Sequence, residues 1–133
     1  LYSGTGSFGL ECLSRGAKEV TFVENNSNAL NLLKKNILDL STVDNTEIIK
    51  DRVENIKNLK IKKKYQILFA DPPYSDDVFF KNLVSIKKNK ILDGNHVAII
   101  HREKKRIDNF DNLFTVIKEK IYGRSKILFG IFN

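Results

Sequence analysis

Apolar side chains recur along the chain in two patterns, one typical of buried strands and the other of amphipathic helices. Short runs rich in β-branched and aromatic residues predict strands at 20–23, 46–50, 65–70 and 97–100. Apolar residues at helical spacing lie between these runs, and the clearest such helix has Ser27 as its expected N-cap. Its apolar face is made of Leu30, Leu33, Ile37 and Leu40.

The other helices are less regular. One follows the glycine-rich opening and ends at Arg15-Gly16, a second carries Val53, Ile56 and Leu59, and a third carries Val78, Phe79, Leu83 and Ile86. The tail differs, because 113–121 and 126–132 are strand-like and meet at Tyr122-Gly123-Arg124, a hairpin signal. Strands and helices that alternate before a hairpin predict an α/β fold with a mostly parallel sheet and antiparallel strands at one edge.

Length and composition limit the class of protein. The 133 residues are enough for one domain, and 41% hydrophobic with 29% charged residues excludes wholesale disorder. No apolar run reaches the roughly 18 residues of a membrane helix, so we expect a cytoplasmic protein without a membrane partner. One cysteine and two histidines make a metal site unexpected.

The net charge is +7, from 23 Lys and Arg against 16 Asp and Glu. A basic domain favours a polyanionic partner, and nucleic acid is the commonest one. A coding bias toward Lys, Asn and Ile is the alternative explanation.

A glycine motif opens the chain. Gly4, Gly6 and Gly9 fit G-x-G-x-x-G before a helix, and Glu24 follows the next strand. Such glycines allow a ligand to approach the backbone closely, and the carboxylate can hold both hydroxyls of a ribose. The pattern predicts an adenosine cofactor and does not separate NAD, FAD and S-adenosylmethionine.

A second motif, Asp71-Pro72-Pro73-Tyr74, follows the predicted strand 65–70. A carboxylate and a proline carbonyl can both accept hydrogen bonds from an exocyclic NH2 group, while an aromatic ring stacks on the base. This arrangement favours N-methylation of a nucleobase, because acceptors on the amine make its nitrogen more nucleophilic. A proline-rich turn with a capping Asp is the alternative.

Together these segments resemble a known family. The stretches 1–11 and 13–17, read with Asp71–Tyr74, are similar to the motifs of the bacterial 16S rRNA guanine-N2 methyltransferases. The resemblance implies a Rossmann-like class I methyltransferase fold in one domain, residues 1–133, with S-adenosylmethionine as methyl donor. It also implies that the acceptor is a guanine amine of small-subunit ribosomal RNA, free or in the subunit, and we expect a monomer.

The resemblance assigns cofactor contacts. Ser3, Gly4 and Gly6 would pass beneath the methionine part of the cofactor, Glu24 would bind its ribose, and Asn25 would lie beside the adenine.

One cofactor contact departs from the family pattern. The family has Asp or Asn directly before a small residue after the third strand, whereas Arg52 precedes Val53 here. Asp51 stands one place early, so either a register shift brings Asp51 to the adenine beside Val53 or the backbone replaces that contact.

In the acceptor site that the resemblance implies, Asp71 and the Pro72 carbonyl would hold the amine and Tyr74 would stack on the guanine, with Pro73 as the fourth residue of the catalytic motif. The predicted charged loop 102–106 contributes candidate phosphate contacts, with a solvated surface as the alternative: Arg102, Lys104, Lys105 and Arg106. His96 and His101 are interpreted as structural or exposed, and Cys12 is interpreted as a core residue.

The chain has no Met and opens inside the glycine motif, so we expect an amino-terminally truncated domain without its first strand. Three other functions remain open. An adenine-N6 DNA methyltransferase uses the same D-P-P-Y motif, an NAD-dependent oxidoreductase explains only the glycines and Glu24, and a truncated fold could serve as a non-catalytic RNA-binding piece.

Overall fold

A computed structural model describes residues 1–58, 61, 63–74 and 78–133. Helices and strands alternate along the chain before two final strands. In order they are α1 Ser7–Ser14, β1 Val20–Glu24, α2 Ser27–Asp39, a 3-10 turn Val43–Asn45, β2 Thr46–Lys50, a 3-10 helix Val53–Asn58, β3 Tyr65–Ala70, α3 Phe79–Lys88, β4 Leu92–Glu103, β5 Phe114–Tyr122 and β6 Ser125–Phe132. None of the helices in these ranges is long and apolar enough to span a membrane. The chain divides into two compact units, residues 1–53 and 54–133, which are described separately.

In the first unit, β1 and β2 are parallel, with Phe22 opposite Ile48. The buried cluster joins both helices to β1, and its members are Leu10, Phe22, Leu30, Leu33 and Ile37. Leu40 is 58% exposed because the helix ends before it, so its predicted place in the core is wrong. The N-cap of α2 is also one residue earlier than predicted, since the Asn26 side chain accepts a hydrogen bond from the Ala29 N–H.

In the second unit, four strands form a sheet in the order β3-β4-β6-β5. Strands β3 and β4 are parallel, while β6 is antiparallel to both β4 and β5. Helix α3 connects the two parallel strands and buries Phe79, Leu83 and Ile86. Both the parallel part and the antiparallel hairpin of the predicted fold are present.

Strand β4 is longer than the sequence predicts. It continues to Glu103, because its pairing with β6 extends to Glu103 opposite Ser125. Arg102 and Glu103 therefore belong to a strand, and the predicted charged loop begins two residues too early.

The segment after β2 is a 3-10 helix in which Val53 and Ile56 are buried. Leu59, the third residue predicted for this face, lies outside the described residues. The apolar pattern therefore predicted correctly that Val53 and Ile56 are buried, but it did not predict that the helix is of the 3-10 type.

Candidate functional site

The glycine loop of the first unit is a tight turn whose two key glycines differ in their surroundings. Gly4 and Gly6 have φ values of +54° and +85°, in the region that disfavours residues with a Cβ. A Cβ on Gly6 would overlap Leu33 Cδ1 of α2, whereas a Cβ on Gly4 would meet no heavy atom within 4 Å. Gly6 is therefore required by packing, and Gly4 presents the open side of the loop.

The loop is attached to the end of β1 and to α2. The Ser3 N–H donates to Val23 O at 3.1 Å, and the Val23 N–H donates to Ser3 Oγ at 3.0 Å. Asn36 Nδ2 donates to Thr5 O at 3.0 Å from α2. These contacts of the chain with itself hold the turn in place.

The Glu24 carboxylate is held by backbone N–H groups. Oε2 accepts from Gly4 N at 2.7 Å, and Oε1 accepts from Asn25 N and Asn26 N, both at 2.8 Å. A carboxylate has about four acceptor positions, so these bonds leave Oε2 able to accept another hydrogen bond. Glu24 is thus oriented, half-buried and still able to bind a hydroxyl group.

Asp51 follows β2 next to this position. Glu24 and Lys50 are opposite each other at the carboxyl ends of the two parallel strands, so Asp51 follows β2 at the same end of the strand pair as Glu24. Asp51 is half-buried, and its Oδ1 accepts from Arg52 N at 2.7 Å. The Arg52 side chain is exposed, and that of Val53 is buried with 4% exposure. The side chain of Asn25 is exposed.

In the second unit, the D-P-P-Y motif directly follows β3, as predicted. Pro72 is fully buried, which anchors the turn, while the Asp71 side chain is 46% exposed and Tyr74 is 38% exposed. The turn therefore presents one carboxylate and one aromatic ring at the carboxyl end of a parallel strand, where α/β folds bind ligands.

His101 contacts both of these exposed residues. Its Nδ1 lies 2.6 Å from Asp71 Oδ1, and its ring makes an edge-to-face contact with Tyr74, with centroids 5.8 Å apart. The interpretation of His101 as structural or exposed missed this position. Only the strand register of the folded chain reveals it, because Ala70 is opposite Ile100 and the next residues of the two parallel strands adjoin.

Tyr74 has two further contacts. Its hydroxyl lies 3.1 Å from Ser125 Oγ at the start of β6, and its carbonyl accepts a hydrogen bond of 2.6 Å from Arg106 Nη1. Ser125 was not singled out in the sequence, because only the antiparallel pairing of β6 with β4 brings it to this turn.

Arg102 is interior, which removes it from the predicted phosphate-binding group. It is 2% exposed, its Nε and Nη2 donate to Asp108 Oδ1 at 3.0 and 2.8 Å, and its guanidinium lies over the Phe79 ring at 4.8 Å. Of the other three predicted residues, Lys104 and Lys105 are exposed and Arg106 is half-buried.

His96 has a structural role, as predicted, whereas Cys12 is only partly buried and is not a core residue as predicted. His96 Nδ1 faces Asp93 O at 2.7 Å, and its Nε2 accepts from Phe132 N at 3.0 Å. Burial is the main cause that raises the pKa of the Cys12 thiol, with a further contribution from the Glu11 carboxylate. Cys12 is therefore a neutral, partly buried side chain.

Comparisons with known proteins agree on the family. Residues 1–131 match the family model described as conserved hypothetical protein 95. A Haemophilus influenzae protein named ribosomal RNA small subunit methyltransferase D is 30% identical, over 92% of this chain and 64% of its own length. A protein of the same name from Buchnera aphidicola subsp. Acyrthosiphon pisum is 32% identical, over 90% of this chain and 62% of its own length. The chain thus spans less than two thirds of these relatives.

Solved structures show the same fold. A Haemophilus influenzae protein described as a methylase superimposes with a TM-score of 0.83 at 28% identity, covering 96% of this chain and 81% of that one. A conserved hypothetical protein from Streptococcus pyogenes gives a TM-score of 0.89 at 22% identity, covering 98% and 82%. The predicted class I methyltransferase fold is confirmed.

Proposed function

Because the chain belongs to the conserved hypothetical protein 95 family, we propose that it methylates the exocyclic N2 amine of a guanine in small-subunit ribosomal RNA, using S-adenosylmethionine. The names of the Haemophilus and Buchnera relatives support ribosomal RNA as the acceptor. Guanine N2 as the target atom rests on the motif resemblance in residues 1–17 and 71–74.

The observation that carries the proposal is the exposed Asp71 carboxylate on a buried, rigid Pro72 turn beside the exposed Tyr74 ring. Asp71 and the Pro72 carbonyl accept hydrogen bonds from the guanine NH2 group, and Tyr74 stacks on the base. These acceptors oppose delocalisation of the nitrogen lone pair into the ring, which makes the amine a better nucleophile. As the new C–N bond forms, the bond between the methyl group and the donor sulfur would break, and the amine would give up a proton to the Asp71 carboxylate.

The first unit fits the methyl donor. When bound, S-adenosylmethionine supplies an electrophilic methyl group on a sulfonium sulfur. Gly4 offers an open backbone face, Glu24 offers an oriented carboxylate for ribose hydroxyls, and the half-buried Asp51 faces the same strand edge. Ser3, Asn25 and Val53 complete the proposed cofactor contacts, with Gly6 contributing through the shape of the loop.

The net charge of +7 supports a ribosomal RNA partner. We assign phosphate contacts to the exposed Lys104 and Lys105 and to Arg106, all of which follow the end of β4. A monomeric, cytoplasmic enzyme whose single domain spans 1–133 is part of the same proposal.

The test measures methyl transfer from S-adenosylmethionine to 16S rRNA and to small subunits, followed by digestion to nucleosides and mass spectrometry. We expect N2-methylguanosine with the wild-type chain and its loss with Asp71→Asn. The matched control, Asp44→Asn, makes the same chemical change at an exposed residue of the 3-10 turn and should leave turnover intact.

Binding of S-adenosylhomocysteine, measured by calorimetry, separates donor binding from turnover. Asp71→Asn should retain this binding, because Asp71 is assigned to the acceptor. N6-methyladenosine as the product would replace guanine by adenine as the target, and binding of NAD with no binding of S-adenosylhomocysteine would contradict the methyltransferase proposal.

A further inference from the structure

His101 of β4 contacts two residues of the turn Asp71–Tyr74, which we call the acceptor turn. Its Nδ1 is 2.6 Å from Asp71 Oδ1, and its side chain is 22% exposed against 46% for Asp71. The same ring meets the Tyr74 ring edge-to-face at an interplanar angle of 79°. One residue of β4 therefore touches both groups that the turn presents to a ligand.

The contact with Asp71 determines which carboxylate oxygen is left for the substrate. An ionised carboxylate only accepts hydrogen bonds, so His101 Nδ1 carries the hydrogen in this pair. The bond engages Oδ1 and leaves Oδ2 to accept from an incoming NH2 group. It also restricts rotation of a carboxylate that is nearly half exposed.

The contact with His101 also restricts the Tyr74 ring, the second group that the turn presents. The Tyr74 hydroxyl is held by Ser125 Oγ at 3.1 Å, and its backbone carbonyl is held by Arg106 at 2.6 Å. The edge of the His101 ring then limits the tilt of the aromatic face, since such aromatic pairs have a preferred geometry.

We propose that His101 is a positioning residue for methyl transfer, which orients the Asp71 carboxylate and the Tyr74 ring toward the target base. The inference rests on the proposed function, because the orientation matters only if Asp71 receives the amine. His101 does not itself touch substrate in this role, and its effect passes through the other two side chains.

Three substitutions separate the donated hydrogen bond from simple packing. The amide nitrogen of Asn can occupy the place of His Nδ1, whereas that of Gln corresponds to Nε2. We expect His101→Ala to lower kcat by about tenfold to a hundredfold, the scale of effect that misplacement of a reacting group produces. His101→Asn should retain most of the wild-type kcat, and His101→Gln should be as slow as His101→Ala. The KM for S-adenosylmethionine should stay at the wild-type value in all three variants.

Wild-type kcat in His101→Ala would overturn the proposal. So would equal losses in all three variants, or a rescue by Gln in place of Asn, since neither pattern follows the position of the donor. Folding is checked by the thermal unfolding of each variant.

A second measurement needs neither RNA nor methyl donor, so it is unaffected if the proposed function fails. Long-range 1H–15N spectra of the wild-type chain, at a pH of about 8 where imidazole is ordinarily neutral, should show His101 protonated on Nδ1. Asp71→Ala should shift His101 toward the Nε2-protonated form. His96 is the internal control, because Asp93 O and Phe132 N fix its tautomer independently of Asp71. An Nε2-protonated His101 in the wild type, or no change with Asp71→Ala, would show that the pair does not exist in solution.

Discussion

Gly4 and Gly6 of the glycine loop belong to the same sequence motif, but different physical constraints favour glycine at the two positions. Gly6 has φ +85° and faces Leu33, whereas Gly4 has φ +54° and faces open space. Backbone strain applies to both positions, but steric overlap in the core applies only to Gly6.

Replacing each glycine by Ala should therefore give unequal losses of stability. We expect Gly4→Ala to cost about 1 kcal/mol from the left-handed backbone alone, and Gly6→Ala about 2–4 kcal/mol because overpacking adds to the strain. Urea unfolding of both variants measures the difference. Equal losses would mean that Leu33 moves aside without cost.

The residues of the proposed acceptor site were only partly predictable from sequence. Asp71 and Tyr74 lie in a contiguous motif, so their proposed roles follow from side-chain chemistry and from their place after a strand. His101 and Ser125 are far from them in the chain, at separations of 30 and 51 residues. Strand register alone brings them together, and periodicity does not specify register between distant strands.

Arg102 was assigned to the site from its sequence position, but the structure places it in the interior. Within Arg102–Arg106 its charge suggests a surface position, yet Arg102 is the most buried of the group because β4 continues past the predicted boundary. A buried guanidinium is stable only with a partner, and Asp108 supplies it from six residues downstream. A run of charged residues such as 102–106 therefore predicts exposed side chains only for the residues that follow the end of β4.

At the scale of elements, the β5–β6 hairpin depends on one close backbone approach. Gly130 lies opposite Ala98 of β4 and Val116 of β5. A Cβ on Gly130 would overlap the Thr115 main-chain oxygen and come within 2.5 Å of Phe114 Cζ. No side chain fits between these strands at that point.

We expect Gly130→Ala to destabilise the second unit by about 1–3 kcal/mol, the usual cost of overpacking a core. Hydrogen exchange of β5 amides should increase first, because the added methyl group displaces β5 and not β4. Gly94→Ala in β4 is the control, since a Cβ there meets nothing within 4 Å. Unchanged exchange in Gly130→Ala would contradict this account.

The order and type of the helices and strands were easier to predict than the residues at which they begin and end. Alternating strands and helices followed from the hydrophobic pattern, and the two-residue hairpin connection at Gly123-Arg124 followed from its turn residues. The capping of α2 by Asn26 and the extent of β4 did not follow, because neighbouring polar residues compete for a cap and pairing partners decide where a strand ends.

For the whole molecule, the charge of +7 predicts that the proposed binding of RNA weakens as the salt concentration rises. Each neutralised phosphate contributes a slope of roughly −0.7 to −0.9 in the logarithm of affinity against that of salt concentration. Replacing Lys104 and Lys105 together by Ala should reduce the slope by roughly 1.5 if each contacts one phosphate. Fluorescence anisotropy with a fragment of 16S rRNA at several salt concentrations measures this change.

The control is the double replacement of Lys34 and Lys35 by Ala, which removes the same charge from the exposed face of α2. An equal fall in slope for both pairs would show that RNA responds to net charge and not to the turn after β4. Arg102→Ala should weaken RNA binding only through loss of folded protein.

The hydrogen bonds of Glu24 to Gly4, Asn25 and Asn26 give one side chain two energetic roles. The carboxylate shapes the glycine loop, which is the proposed cofactor-binding loop, and it is also the proposed ribose ligand. The affinity lost on changing Glu24 is therefore the sum of a missing contact and the conformational entropy of reordering the loop at each binding event. Amide exchange in residues 3–6, compared between the free wild-type chain and a Glu24 variant, reports how much order of the loop depends on this carboxylate and so helps to separate that part from the ribose contact.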